Sequence, residues 1–183
     1  MGKHAVFLDR DDTLIENVPY LGDPKLVKLM PGASSAISDL RAADFLLIVI
    51  SNQSGVGRGL ITKEQVRSVD AKMEELLGGK NIFAAYGHCF AVPDDPYDDR
   101  RKPSPKMIQQ AASDLQIDLG RSFMVGNRLS DIQAGNSAGC QTVLLALRVP
   151  KDEMHEASGL ATYVASDWPK AKKWILEQIS KQS

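Results

Sequence analysis

Short apolar runs alternate with amphipathic stretches along this chain. Five runs read as strands: AVFL (5–8), FLLIVI (45–50), GHCFAV (87–92), SFMVG (122–126) and TVLLAL (142–147), with a weaker one, TYVA, at 162–165. Between them, apolar residues recur at helical spacing over roughly 32–43, 63–77, 105–116, 130–138 and 168–181. The strand runs hardly alternate between apolar and polar, as expected where a parallel sheet is covered on both faces. Strands and helices in this order predict an α/β fold, a doubly wound and mostly parallel sheet.

Two segments break the rhythm. Residues 15–31 form a long connection after the first strand, and PDDPYDDRRKPSP (93–105) is a polar, proline-rich loop. Connections of that length in a compact fold often carry function. Neither is long enough to build a second domain, so 1–183 is read as one domain without a separate cap, large enough to bury a real core. In open α/β sheets ligands gather at the carboxyl ends of the strands, near the point where strand order reverses. The residues following each strand are therefore the ones to weigh.

The first strand runs into Asp9-Arg10-Asp11-Asp12-Thr13. Adjacent carboxylates repel one another unless a cation or hydrogen bonds compensate. Asp9 and Asp11 can act as nucleophile and general acid/base, or the stretch is an acidic turn with capping Asp and Thr. After the second strand comes SNQSGVGRG (51–59), in which Ser51 and nearby amides can donate to phosphate oxygens. Arg58 adds a possible bidentate contact to substrate, and the competing reading is a plain glycine-containing connection. DDRRKPSPKM (98–107) brings Lys102, able to offset an aspartate and a phosphoryl group, with Arg100 and Arg101 in reach of substrate. Taken singly, each of these cations also fits a solvated surface cluster. Last, VGNRLSDIQAG (125–135) places Asn127 at a strand end and Asp131 one helical turn later. Magnesium takes oxygen ligands, one or two carboxylates among them.

Composition narrows the field. Lys+Arg 22 against Asp+Glu 23 leaves a net charge of -1, so no global field favours nucleic acid or an anionic membrane. No stretch approaches the ~18 apolar residues of a membrane span, and MGKHAVFLDRDDTL does not read as a signal peptide. The two cysteines, Cys89 and Cys140, are far apart and lack a paired-ligand spacing, which points to a reduced, cytoplasmic compartment. No apolar helix looks like an interface, so a monomer is expected.

Taken in order, DxD-T, S-N-Q-x-G, R-K-P and G-N-x-x-x-D resemble the haloacid dehalogenase superfamily of aspartate-nucleophile phosphatases, over about residues 6–145. FLDRDDTL, SNQSGVGRG and RRKPSPKM look most like its heptose bisphosphate and histidinol-phosphate phosphatase branch. The resemblance implies that Asp9 is nucleophile and Mg2+ ligand, and that Asp11 is general acid/base and lends a backbone carbonyl to the metal. It makes Ser51 the holder of the transferring phosphoryl group, with Asn52 beside it, and Lys102 the stabiliser of the aspartyl-phosphate. Arg58 and Arg101 become candidates for the part of the substrate that stays behind. Asn127 falls where a metal-binding Asp is usual, and Asp131 matches a second acidic position.

The chain departs from that pattern in three places. Asp12 stands where glycine is usual. In the loop 89–101 Cys89 remains of a structural zinc site found in many relatives, but Ala91, Asp98 and Arg100 replace other ligands. Zinc is therefore not expected, and proline and local ion pairs are expected to hold the loop. Asn127 can still offer magnesium an oxygen but brings no charge, so it reads as a weakened ligand position. The implied function is Mg2+-dependent hydrolysis of a small phosphorylated metabolite, foremost a sugar bisphosphate. Histidinol phosphate is the second substrate reading and a nucleic-acid 3′-phosphate the third. A phosphometabolite-binding homologue weakened at Asn127 is the reading outside enzymes.

Overall fold

Val6 and Leu8 bury on one side of the first strand, Ala5 and Phe7 on the other, and none of the four is exposed. That two-sided burial is the physical meaning of the unalternating apolar runs. The computed structural model describes residues 2–180. Its strands are β1 (Ala5–Leu8), β2 (Leu46–Asn52), β3 (Ala85–Cys89), β4 (Phe123–Gly126), β5 (Gln141–Leu145) and β6 (Tyr163–Ala165). They form one sheet in the order β3-β2-β1-β4-β5-β6, every pairing parallel. The chain winds outward from β1 to β3, then returns to place β4 on the other side of β1. That makes the β1/β4 boundary the switch point of a doubly wound sheet.

The helices are α1 (Ala33–Ala42), α2 (Ser54–Gly57), α3 (Lys63–Leu76), α4 (Lys106–Leu115), α5 (Leu129–Ala138), α6 (Met154–Leu160) and α7 (Trp168–Ser180). On one face, Ile37 and Leu40 of α1, Val69 and Met73 of α3 and Trp168 and Ile175 of α7 pack on Val6, Leu8, Val49 and Val125. On the other, Ile108 of α4 and Ala134 of α5 pack on Phe7, Ile50 and Met124. Helix starts follow local chemistry: Thr62 and Gln65 exchange side-chain bonds with each other's backbone N–H at the head of α3. No helix among the described residues is long and apolar enough to cross a membrane.

The elements depart from the sequence reading in particular places. The third strand was expected at 87–92 and lies at Ala85–Cys89, because register with β2 pairs Ala85 with Ile48 and Cys89 with Asn52. Beyond Cys89 the chain leaves the ladder, and the Phe90 carbonyl accepts from Gly57 N instead. The short helices α2 and α6 were not anticipated; α2 is a single turn that buries only Gly55 and α6 buries only Ala157, so their periodic signals are faint. The last expected helix, 168–181, is described over Trp168–Ser180, and its final residue Lys181 lies outside the described residues.

The C-terminal helix reaches the first motif directly. Trp168 is fully buried and its Nε1–H donates to the Thr13 carbonyl at 2.8 Å. Replacing it by Phe keeps most of the ring but leaves that carbonyl without its donor. Trp168→Phe should lower unfolding free energy by about 1–3 kcal/mol, the cost of an unpaired buried polar group, read as a reduced urea midpoint at unchanged slope. An unchanged midpoint would show that the tether carries no stability.

Candidate active site

Three strand ends and one loop converge at the β1/β4 switch point. Asp9 follows β1 directly, and its N–H continues the ladder to the Val125 carbonyl of β4 at 2.9 Å. Lys102 enters from the loop before α4 and is only 4% exposed. Its Nζ lies 2.6 Å from Asp9 Oδ1, 2.7 Å from the Ile50 carbonyl and 2.6 Å from Asp131 Oδ1. Asp131 has no exposure; its Oδ2 caps α5 by accepting from Arg128 N at 3.0 Å, while Oδ1 meets Lys102 as an ion pair. Gly126 is required here, because a Cβ at that position would collide with the Asp131 carboxylate.

The charges do not balance within this cluster. Burial pushes the Asp9 carboxyl up to about 7 from an ordinary 3.8, Asp131 and Asp11 add to the rise, and Lys102 opposes it. Burial alone would lower the Lys102 ammonium, but Asp131 and Asp9 outweigh it and hold its pKa above the usual value. One buried cation is thus shared by two buried carboxylates, with Asp11 close by. The cleft above them encloses about 370 Å3, and at its floor the two carboxylates outnumber the one ammonium between them.

Asp11 has its own anchors. Arg10 Nε and Nη2 donate to its two oxygens at 3.2 and 3.3 Å, and Gln53 Nε2 donates to Oδ2 at 2.8 Å. The same Gln53 nitrogen reaches Ser51 Oγ at 2.8 Å, so one amide ties the end of β2 to the first motif. Asp12 adopts a left-handed backbone, φ 60°, which explains why glycine suits this position. Asp tolerates the conformation and uses its side chain locally, Oδ1 accepting from Asn17 N and from Arg148 Nη1.

Asn127 is buried, 1% exposed, with its two ends spent differently. Nδ2 donates to the Arg148 carbonyl at 2.9 Å, so Oδ1 is the end turned inward. The Thr13 hydroxyl lies 3.4 Å from both Asn127 Oδ1 and Asp9 Oδ2. Carboxylate and amide oxygens beside excess negative charge form a donor set that suits a hard cation such as magnesium. Among the described residues no group of three or more His, Cys, Asp and Glu gathers as a metal site.

Other expected residues fall less simply. Ser51 lies near the end of β2, 1% exposed. Asn52 was read as a substrate contact, yet its amide is engaged with the backbone of Lys102, accepting from N at 3.0 Å and donating to O at 3.2 Å. Arg101 lines the cleft and donates to the Ala91 carbonyl. Arg58 does not line it: the single turn of α2 carries this side chain outward into solvent. The neighbouring glycines serve packing, since a Cβ on Gly57 would strike the Phe90 carbonyl and one on Gly55 the Tyr20 ring.

At the end of β3, where the loop begins, Cys89 is buried, and burial pushes its thiol pKa up. Arg100 donates to both oxygens of Asp98 at 2.9 and 2.7 Å, which holds that carboxyl down at about 2. Lys106 pairs with Asp99 nearby. Two exposed ion pairs are therefore present in and beside the loop, which was expected to be held by proline and such pairs. Thr13, Gln53 and Arg128 stood inside quoted motifs but were given no site role from the sequence. Arg128 lies beside Asn127 on the cleft wall, paired with Glu153 at 3.0 Å.

Comparison with known proteins bears on the same residues. A family model described as HAD-hydrolase-like matches residues 99–171. The D-glycero-D-manno-heptose-1,7-bisphosphate 7-phosphatase of Chlorobaculum tepidum is 36% identical over 154 residues, 77% of each chain. This chain belongs to the haloacid dehalogenase superfamily of phosphatases. The particular resemblance within it recurs in the D-glycero-beta-D-manno-heptose-1,7-bisphosphate 7-phosphatase of Yersinia pestis, 32% identical over 92% of this chain and 95% of that one. A crystal structure of the D,D-heptose 1,7-bisphosphate phosphatase of B. bronchiseptica, complexed with magnesium and phosphate, superimposes with a TM-score of 0.85. It is 29% identical, covering 96% of this chain and 99% of that one.

Two outcomes follow from the charge imbalance and the oriented amide. With its folded pKa raised, Asp9 contributes stability that is complete below about 3.8 and lost as pH rises through about 7. In metal-free protein Asp9→Asn should therefore raise the melting temperature at pH 8, with the gain shrinking towards pH 5; equal shifts at both values would contradict it. Asn127→Asp should turn a carboxylate oxygen toward the Arg148 carbonyl and lose about 1–3 kcal/mol in metal-free protein. Chemical denaturation in EDTA that leaves stability unchanged would show the amide contact to be idle.

Proposed function

We propose that this chain is a Mg2+-dependent phosphomonoesterase that releases the 7-phosphate of D-glycero-D-manno-heptose 1,7-bisphosphate through an aspartyl-phosphate on Asp9. The observation that carries the reading is the buried contact of Lys102 Nζ with Asp9 Oδ1, 2.6 Å long, at the switch point of the sheet. The named relatives support the substrate class.

Asp9 attacks the phosphorus in line, and the ester bond to the sugar breaks. Asp11, as the carboxylic acid, gives its proton to the departing sugar oxygen. Water then attacks the aspartyl-phosphate while the Asp11 carboxylate takes its proton, which frees phosphate and restores Asp9. Lys102 offsets charge on the attacking carboxylate and on the phosphoryl oxygens, and Ser51 donates to one of those oxygens. Asn52 and Asp131 act on Lys102, one through its backbone and one through its ammonium. Asp9, the backbone carbonyl of Asp11 and Asn127 Oδ1 would hold magnesium. When bound, the ion neutralises phosphate charge and aligns it for attack, the main demand of phosphoryl transfer. Arg101, joined by Arg128 at the rim, faces the phosphate that the sugar keeps. Arg58 is left out of this set because of its outward position.

Histidinol phosphate remains the second substrate reading. The reading as a weakened binding protein draws no support from Asn127, whose inward oxygen and anchored nitrogen form an ordered contact. With magnesium present, phosphate release should be fastest on the heptose bisphosphate across a panel that includes histidinol phosphate and a 3′-phosphorylated oligonucleotide. Asp9→Asn should lower kcat by at least about a thousandfold, as expected for loss of the nucleophile. A wild-type rate on every substrate equal to that of Asp9→Asn would refute the assignment.

A further inference from the structure

Behind Asp11 lies a chain of buried polar groups that the chemistry above does not use. Arg10 is 1% exposed, although it is among the largest side chains of the interior. Burying a guanidinium is costly unless its donors are met. Nε and Nη2 meet Asp11, and Nη1 donates to Asp70 Oδ1 of α3 at 3.1 Å. The other oxygen of Asp70 lies 2.7 Å from Nε2 of His88 on β3. Asp70 is 5% exposed and the His88 side chain 10%, so water competes little for these bonds. The His88 ring also sits between Tyr86 and Phe90, with centroids 5.6 and 5.9 Å away.

We propose that Asp70 and His88 are positioning residues, which lock the Arg10 guanidinium so that it aims the Asp11 carboxylate into the cleft. The geometry favours this over a purely structural ion pair because a guanidinium gripped from behind has its planar fork oriented. A fork held at both ends restricts Asp11 in direction as well as in charge. Asp11 is the only member of the chain that borders the cleft with a part-exposed side chain, 24% by area. A small error in its aim acts on proton transfer before it acts on binding. Arg10 itself lines the cleft, but all three of its donor nitrogens are turned to these carboxylates.

The inference rests on Asp11 being the general acid/base of the proposed phosphatase, and the test separates the two ideas. p-Nitrophenyl phosphate has a leaving group that departs without a proton, so forming the aspartyl-phosphate from it needs little of Asp11, whereas hydrolysing that intermediate needs it fully. With magnesium present, Asp70→Ala should release about one p-nitrophenolate per enzyme in a burst. Its steady rate should then be about tenfold or more below wild type, with KM within about twofold. His88→Phe, which keeps the ring stack but removes Nε2, should move in the same direction by less. Asp70→Asn retains an acceptor for Arg10 and should recover most of the rate. Melting curves identify any variant that has failed to fold, and the remaining one then decides. Burst and steady rates unchanged, or falling together in both variants, would overturn the positioning role. Asp11→Asn is the control: if it bursts and the others do not, only the positioning chain fails, and if it turns over normally, the assignment of Asp11 itself fails.

Discussion

The site depends on one buried ammonium. Lys102 Nζ touches Asp9 after β1, the Ile50 carbonyl in β2 and Asp131 in the first turn of α5, each within 2.7 Å. Three segments distant in sequence are thereby held at one point. Taking a lysine out of water costs several kcal/mol, which is recovered only where partners surround it. Here the donors of the ammonium are matched by three acceptors. Asn52 adds a second hold by clasping the backbone of the same residue. The lysine is thus oriented before any ligand arrives, and such preorganisation gives a charge its value in a water-poor cleft.

The arrangement leaves the site overcharged. Two carboxylates share that ammonium, and Asp9 carries the strain, its pKa pushed up to about 7 chiefly by burial. A domain selected for stability alone would not keep this imbalance, because it favours unfolding as Asp9 ionises. It is what an incoming cation would relieve. Around this point the fold supplies rigid support: Trp168 of α7 holds the Thr13 carbonyl, and the Thr13 hydroxyl stands between Asp9 and Asn127.

Much of this was legible because a few strong patterns coincide. Apolar runs covered on both faces marked the strands, and the residues just past them marked the cleft, since a parallel sheet points all its carboxyl ends one way. What escaped depends on pairing across the fold. Asp131 stood out as an acidic position, but its contact with Lys102 joins elements that no local spacing links. Arg58 looked equivalent to Arg101 until one turn of α2 sent it outward. Gly55 and Gly57 fitted a plain glycine-containing connection, whereas neighbouring side chains and a carbonyl leave no room for a Cβ at either. The start of β3 followed register with β2 instead of the apolar count, and α6 buries too little to leave a period.

Asn127 shows most clearly why a motif read by charge alone misjudges a residue. By charge, an amide at a cation-binding strand end is a loss. By geometry it does two jobs that a carboxylate cannot combine. Its nitrogen donates to the Arg148 carbonyl, and its oxygen is thereby forced inward beside Thr13 and Asp9. A carboxylate has no donor to offer that carbonyl and would meet it with repulsion. Through the same residue, the Arg148 side chain reaches Asp12 and Glu16, so the amide also helps to seat the segment that braces the first motif. Where two buried carboxylates already share one ammonium, a neutral oxygen with a defined direction sits beside them without adding a further charge.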